Sequence, residues 1–183
     1  MTIRLATRHD VPSLLALEER HFVGNLPESE LDQGFISILH PREWFERAVD
    51  QGGVHVATAD GDVVGFIVIT EPPSASAEIT SPIMRKIVEL TTSVSFDGRP
   101  IAELRYALRG PVLIDRSARG RGLYSAFNAI TGDAYRQRFD IGVLFVAAAN
   151  PRSVHTTTTR LGATSLATFE VEGRDYHLMA FRF

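Results

Sequence analysis

The chain contains no cysteine. Disulfides, thiolate metal sites and cysteine nucleophiles are therefore excluded, and a reducing compartment is the expected setting. No stretch approaches the ~20 uncharged apolar residues that a membrane-spanning helix needs. An excess of positive charge is missing too: 19 Lys and Arg stand against 22 Asp and Glu, for a formal net charge of −3. Such a chain lacks the basic footprint of a dedicated nucleic-acid binder. The opening residues, Met1 to Asp10, hold no apolar signal region, so a cytoplasmic location is expected. Its six histidines show no metal-ligand spacing and no His-Glu-x-x-His string, so no metal is expected. What is present is 44% hydrophobic residues in 183, enough to build the core of one soluble domain spanning residues 1–183.

Thr2 to Ala6 alternates polar and apolar residues and predicts a first strand. Asp10 then caps a helix carrying Leu14, Leu15, Leu17 and Phe22, with Pro12 in its first turn. A second helix is predicted from Pro41 to about Gln51, stopped by Gly52-Gly53 and buried through Trp44, Phe45, Ala48 and Val49. Between them, Gly34 to Leu39 reads as extended, and Glu28, Glu30 and Asp32 read as a solvated loop, with attraction of a cationic amine as the functional alternative. Val54–Ala59 and Val63–Thr70 flank Asp60-Gly61-Asp62, which is a β-hairpin signal. A loop at 72–76 precedes a helix capped by Ser81-Pro82, with Ile83, Ile87 and Leu90 on one face. Asp97-Gly98 predicts a second hairpin between Val94–Phe96 and Ile101–Leu108.

Val112-Leu113-Ile114 reads as a short buried strand, and a helix follows from Leu123 to about Arg138. Ile141 to Ala149 is nearly unbroken apolar sequence, as expected of a strand covered on both faces. Asn150-Pro151 opens a helix or turn ending at Leu161-Gly162. Ala167–Val171 and Tyr176–Phe183 then form a terminal hairpin around Glu172-Gly173-Arg174. The predicted order is a mixed α/β sheet.

The segment with chemical content is Val112-Leu113-Ile114-Asp115-Arg116-Ser117-Ala118-Arg119-Gly120-Arg121-Gly122-Leu123-Tyr124-Ser125. A strand enters a glycine-rich turn, and the turn opens a helix. The first helical N–H groups have no internal partner, and the helix dipole adds partial positive charge there. Glycines let backbone approach a phosphate without an intervening Cβ. Arg105, Arg109, Arg116, Arg119 and Arg121 add positive charge in an otherwise acidic chain. A phosphate or pyrophosphate site is the functional reading; a plain strand-to-helix connection with solvated arginines is the alternative. A P-loop is excluded, since no Gly-x-x-x-x-Gly-Lys-Ser/Thr string exists. A dinucleotide-binding turn is excluded because Ser125 stands where its third glycine belongs and Asn150 where the next strand should end in an acid.

Arg119-x-x-Gly122, placed between strand and helix, resembles the acetyl-coenzyme A loop of the GNAT acetyltransferases, which reads Gln/Arg-x-x-Gly-x-Gly/Ala. Tyr124 departs from its last position. The resemblance extends to Ile3-Arg4-Leu5-Ala6-Thr7-x-x-Asp10, to the hairpin at 54–70 with Val64-Gly65, and to Asn150-Pro151-Arg152-Ser153 followed by Leu161-Gly162-Ala163. Residues 72–100 read as an insertion. The resemblance implies the GNAT fold, a mixed, mostly antiparallel sheet with splayed central strands and flanking helices.

It also implies roles. Backbone groups of Val112, Leu113 and Ile114 would meet the pantetheine arm, and the amides of Arg119, Gly120, Arg121, Gly122, Leu123, Tyr124 and Ser125 the pyrophosphate. Asn150 would contact the cofactor, although a helix N-cap is its structural alternative. An amine would attack the thioester directly, with a backbone N–H near Ile114 stabilising the oxyanion. The family's proton-handling positions are not matched. Phe145 occupies the glutamate base position. Thr157 occupies that of the tyrosine acid, and its hydroxyl is too weak an acid to replace it. Glu103, expected on the strand leading to Val112, is the remaining candidate base, with an exposed strand glutamate as the alternative. Tyr106 and Tyr124 are substitutes for the missing tyrosine.

Acetyl-coenzyme A is thus the expected acyl donor, and a small-molecule or peptide amine the expected acceptor. Neither nucleic acid nor membrane is an expected partner, and a homodimer paired through terminal strands stays open. A non-catalytic acyl-coenzyme A-binding module is the rival reading.

Overall fold

The structure is a computed structural model and describes residues 1–73 and 81–183. The expected loop at 72–76 and insertion at 72–100 therefore lie partly outside the described residues. The strands are β1 (Thr2–Leu5), β2 (Val54–Ala59), β3 (Asp62–Thr70), β4 (Ser95–Phe96), β5 (Arg99–Pro100), β6 (Tyr106–Ile114), β7 (Ile141–Ala147), β8 (Thr164–Val171) and β9 (Arg174–Arg182). The helices are α1 (Val11–His21), α2 (Arg42–Asp50), α3 (Pro82–Thr91), α4 (Leu123–Tyr135) and α5 (Pro151–Leu161). Seven strands hydrogen-bond in the order β1-β2-β3-β6-β7-β9-β8, and β4-β5 form a separate ribbon. The sheet is mixed and mostly antiparallel, with β6 and β7 as its parallel pair.

The chain divides into two compact units. The first comprises residues 1–70 and 109–131, the second 71–108 and 132–183. In the first unit, β1 pairs with β2 and β2 with β3 through the Asp60-Gly61 turn. Asp60 and Gly61 have φ of 53° and 93°, the left-handed pair that a two-residue hairpin turn requires. Leu14 and Leu17 of α1, Phe45, Ala48 and Val49 of α2, and Val54, Val56, Phe66 and Val68 of the hairpin share one core with Leu113. Of the apolar residues predicted for these two helices, Leu14, Leu17, Phe45, Ala48 and Val49 are buried, whereas Leu15, Trp44 and Phe22 are only partly covered, and Phe22 lies just past the end of α1.

Asp10 works differently from the expectation. It sits at the N-cap position of α1, but its carboxylate turns back. It accepts from Thr7 N at 2.7 Å and from both Arg4 guanidinium nitrogens at 2.8 and 2.7 Å. The ion pair draws the carboxylate toward β1, so a 3-10 turn at Arg8–Asp10 precedes the helix. Another 3-10 turn, Glu28–Gln33, occupies the expected loop, and Ile36 forms a bridge with Phe22.

In the second unit, the first half of β6 pairs with β7 over Tyr106↔Ile141, Ala107↔Gly142 and Leu108↔Val143. β7 then pairs with β9, and β9 with β8. Leu144, Val146, Ala163, Met179 and Phe181 form one core cluster of this unit. The predicted Asp97-Gly98 hairpin exists, but its second arm is only Arg99–Pro100. Pro100 cannot donate a ladder hydrogen bond, and a 3-10 turn at Ile101–Glu103 follows at once. Val112-Leu113-Ile114 is not a separate strand but the end of the nine-residue β6.

Candidate functional site

The end of β6 is positioned by β3. A Cβ on Gly65 would stand 2.8 Å from the Leu113 carbonyl oxygen and 3.4 Å from Ile114 Cα, so only glycine permits this approach. Asp115 N donates to Val64 O at 2.8 Å and continues the connection past the strand end. The Asp115 carboxylate then organises the next turn, accepting from Ser117 N at 3.0 Å and from Ser117 Oγ at 2.7 Å. Arg20 of α1 donates to it at 3.2 Å. Partial burial pushes this carboxyl upward, but Ser117 and Arg20 outweigh it and hold the pKa below the ordinary range.

Arg119 begins the glycine-rich turn, and its side chain points inward. Nε donates to Ile114 O at 3.0 Å and Nη1 to Gln33 O at 2.8 Å. The guanidinium thus ties the turn to the strand it left and to the 3-10 turn at Glu28–Gln33. Arg116 makes the same link by pairing with Glu30 at 2.6 Å. Gly120 and Gly122 have φ of 76° and 78°, and nothing lies within 4 Å of where either Cβ would stand. The α4 ladder begins with Ala126 N donating to Gly122 O at 3.0 Å. The amides of Leu123, Tyr124 and Ser125 therefore have no carbonyl of their own helix to meet. The result is a rigidly held, solvent-facing backbone turn at the positive end of a helix, with Arg121 exposed beside it.

Tyr124, the departure from the family's loop, is explained by Arg109. That guanidinium is 4% exposed, lies 5.5 Å over the Tyr124 ring and donates to Asn128 Oδ1 at 3.0 Å. Burial pushes its pKa down, against the pull of Tyr124. The phenol ring covers a buried cation, a role that glycine or alanine could not perform.

The arginines expected to gather at the turn are dispersed. Arg119 and Arg116 fasten it, Arg109 is buried behind α4, and Arg105 belongs to the second unit, where it pairs with Asp140 at 2.6 Å. What the turn presents to solvent is therefore its backbone rather than a cluster of free cations. Glu30 is likewise engaged by Arg116, leaving Glu28 and Asp32 as the exposed acids of that segment.

Of the other expected site residues, Glu103 is not on a strand. It is exposed in the 3-10 turn after Pro100, where its carbonyl accepts from Arg99 at 3.0 Å. Thr157 is 4% exposed on α5, its carbonyl accepting from the Gly162 and Ala163 amides. Phe145 packs edge-on against Tyr176. Asn150 is buried and its side chain accepts from Ser153 N at 3.1 Å, which is the N-cap role. Glu103, Thr157 and Asn150 lie in the second unit, whereas Val112 to Ile114 and Arg119 to Ser125 lie in the first.

One constellation escaped the sequence reading. Glu18 of α1 is fully buried, and both its oxygens are held by His40: Oε2 by the backbone N–H at 2.9 Å and Oε1 by Nδ1 at 2.8 Å. The His40 ring stacks on Trp44 with centroids 3.9 Å apart. A signal did exist, because Glu18 follows Leu14 by four residues and so falls on the apolar face of α1.

Among the described residues, no group of three or more metal-ligating side chains converges, and no helix is long and apolar enough to cross a membrane. No protein-family model matches the chain, and no curated protein matches it either. Solved structures do match. A ribosomal-protein-alanine N-acetyltransferase from Brucella melitensis is 20% identical, with a TM-score of 0.62 and all of both chains covered. A GNAT-family acetyltransferase from Streptococcus agalactiae is 16% identical at a TM-score of 0.68, covering 100% of this chain and 95% of that one. The yncA protein of Salmonella typhimurium, solved with its cofactor acetyl-CoA, is 15% identical at a TM-score of 0.64, covering 100% and 93%.

Proposed function

We propose that this chain, which has the GNAT fold, is an N-acetyltransferase that moves an acetyl group from acetyl-coenzyme A directly to an amine. The observation that carries this reading is the glycine turn. Two left-handed glycines with open space in front of them precede the unpartnered amides of α4, at the end of the β6 strand. That cradle fits a pyrophosphate, because nothing stands where the two Cβ atoms would be. The fold likeness to a protein solved with acetyl-CoA supports the choice of ligand.

In this reading the amides of Arg119 to Ser125 hold the pyrophosphate, and backbone groups of Val112, Leu113 and Ile114 orient the pantetheine arm. Asn150 belongs to the reading through the resemblance, beside its capping role. When bound, acetyl-coenzyme A supplies an activated acetyl thioester. The protein then contributes position and backbone hydrogen bonds, which by themselves account for large rate gains. Two of the similar structures are named for alanine N-acetylation of ribosomal protein, so a peptide amino terminus stands among the acceptor classes to try.

The test is thermal unfolding with acetyl-coenzyme A, coenzyme A or ATP, followed by thiol release with an Ala-initiated peptide, spermidine, lysine and kanamycin. A ligand at a hundred times its Kd adds about 2.7 kcal/mol of stability. Stabilisation by both coenzyme A species but not by ATP, with thiol release for at least one amine, is the expected result. Stabilisation without thiol release would make the protein an acyl-coenzyme A-binding module. No stabilisation at millimolar ligand would overturn both readings.

A further inference from the structure

A carboxylate buried without exposure costs several kcal/mol unless its oxygens are hydrogen-bonded. Glu18 is 0% exposed amid the core formed by Leu14, Leu17 and Phe45, and the hydrogen bonds described to it come from one residue, His40. Stability alone does not favour such a pair over an apolar one of equal volume. The geometry, however, orients an imidazole. A carboxylate oxygen accepts, so in this pairing Nδ1 donates and Nε2 is the ring nitrogen left to face outward. Nε2 has no hydrogen-bond partner among the described residues, and the His40 side chain is 17% exposed. Glu18 therefore fixes both the tautomer and the plane of a ring that solvent can reach.

The ring's location ties it to the strand that matters. Glu18 from α1 and Trp44 and Phe45 from α2 pack against it, with centroids 3.9 Å and 5.9 Å away for the two aromatics. Trp44 in turn stands over β6: a Cβ on Gly110 would lie 3.6 Å from Trp44 Cη2. Gly110 precedes Val112 by two residues, and Val112 opens the segment to which the pantetheine arm is assigned. All of these residues belong to the first unit.

We propose that His40 is the proton acceptor for the incoming amine, held in place by Glu18 as a positioning residue; this rests on the acetyltransferase reading. As the amine nitrogen bonds to the thioester carbonyl carbon, its proton passes to Nε2. The carbon–sulfur bond breaks, the thiolate leaves with the electron pair, and the imidazolium returns the proton to the sulfur. Amide and free thiol are formed and neutral His40 is regenerated. The role is the one for which Glu103 was the sequence candidate.

The decisive variant is His40→Asn, which keeps an N–H donor for Glu18 while deleting Nε2; His40→Gln serves as a second form. Each is melted with and without coenzyme A, then assayed for thiol release with the amine panel across pH 5.5 to 9. The expected result is an unchanged coenzyme A stabilisation, a kcat lowered on the order of 100-fold with KM for the amine little altered, and loss of the acid limb of the kcat profile. Glu18→Gln is expected to lower kcat about tenfold while retaining that limb, because the imidazole is still present. Added imidazole should restore turnover in His40→Ala. A His40→Asn enzyme with kcat within threefold of the original and the same acid limb overturns the proposal and leaves the acetyltransferase reading intact. A protein that binds coenzyme A but releases no thiol with any amine overturns it too, and a protein that does not bind coenzyme A fails at the earlier reading.

Discussion

Asp10 shows how much a single side chain decides when it is held on several sides. Its carboxylate is only 7% exposed and bonds to Arg4 and to the Thr7 amide and hydroxyl. The Arg4 hydrogen bonds, outweighing burial, lower its pKa to about 2. A depressed carboxylate pKa stabilises the fold above its unfolded value and loses that contribution as pH falls through the folded one. Asp10 should thus support the fold at pH 5 and cease to do so near pH 2. Arg4 is partly exposed, so screening reduces the yield, and Asp10→Asn should cost about 1–2 kcal/mol in a urea melt at pH 7. A loss that persists unchanged at pH 2 would refute this account. Gly122 poses a separate question at the same scale. With φ at 78° and open space around it, Gly122→Ala pays only a conformational cost of about 1 kcal/mol. If a pyrophosphate fills that space, the substitution should abolish coenzyme A stabilisation at concentrations that saturate the original. Equal loss of stability and binding would count against the cradle.

At the scale of elements, β3 and β6 meet because Gly65 has no side chain. Gly65→Ala would press a Cβ to within 2.8 Å of a backbone carbonyl, an atom that cannot swing away. The expected cost is about 1–3 kcal/mol. Displacement of Leu113 and Ile114 should also weaken coenzyme A binding more than that of a surface variant of equal stability. Thermal shifts with and without coenzyme A separate the two effects. The glycine turn shows the same dependence on neighbours. Its conformation is held by Arg119, whose guanidinium spans from Ile114 O to Gln33 O, so the segment after α1 helps shape the turn that leads into α4. Apolar spacing and flanking cap residues located α1 and α2 within a residue or two and the start of α3, because an apolar stripe must be buried wherever it occurs. Periodicity was silent on the Glu28–Gln33 turn, which carries no stripe and is fixed by links such as Arg116 to Glu30.

At the scale of the whole molecule, acid sensitivity is built into buried imidazoles. His21 is held below its ordinary pKa by burial and then by Arg119, and His55 by burial alone. Folding therefore opposes their protonation. The unfolded chain binds more protons once pH falls through the ordinary histidine range, so stability declines as pH drops through about 6.5 and is level above it. Chemical denaturation at pH 7.5 and 5.5 should show lower stability at the acid end. His55→Gln should flatten part of that decline, and a stability independent of pH across this window would contradict the assignment.

The strand–turn–helix segment from Val112 to Ser125, the three hairpin turns and the caps at Ser81 and Asn150 were legible in the amino-acid sequence because each depends on neighbours a few residues away. Glycine geometry, cap chemistry and apolar spacing act locally, and they sufficed for a mixed α/β order with a glycine-rich turn; the GNAT fold came from the resemblance of that turn and its flanking segments to the family. The Glu18–His40 pair was not legible. Glu18 and His40 are separated by twenty-two positions, and neither carries a motif. Only the packing around α1 buries the carboxylate and brings the His40 backbone N–H and ring nitrogen within reach of its two oxygens. The fate of the arginines was decided in the same way, since charge is written in the sequence but its neutralisation depends on which distant acid or carbonyl the fold brings within 3 Å.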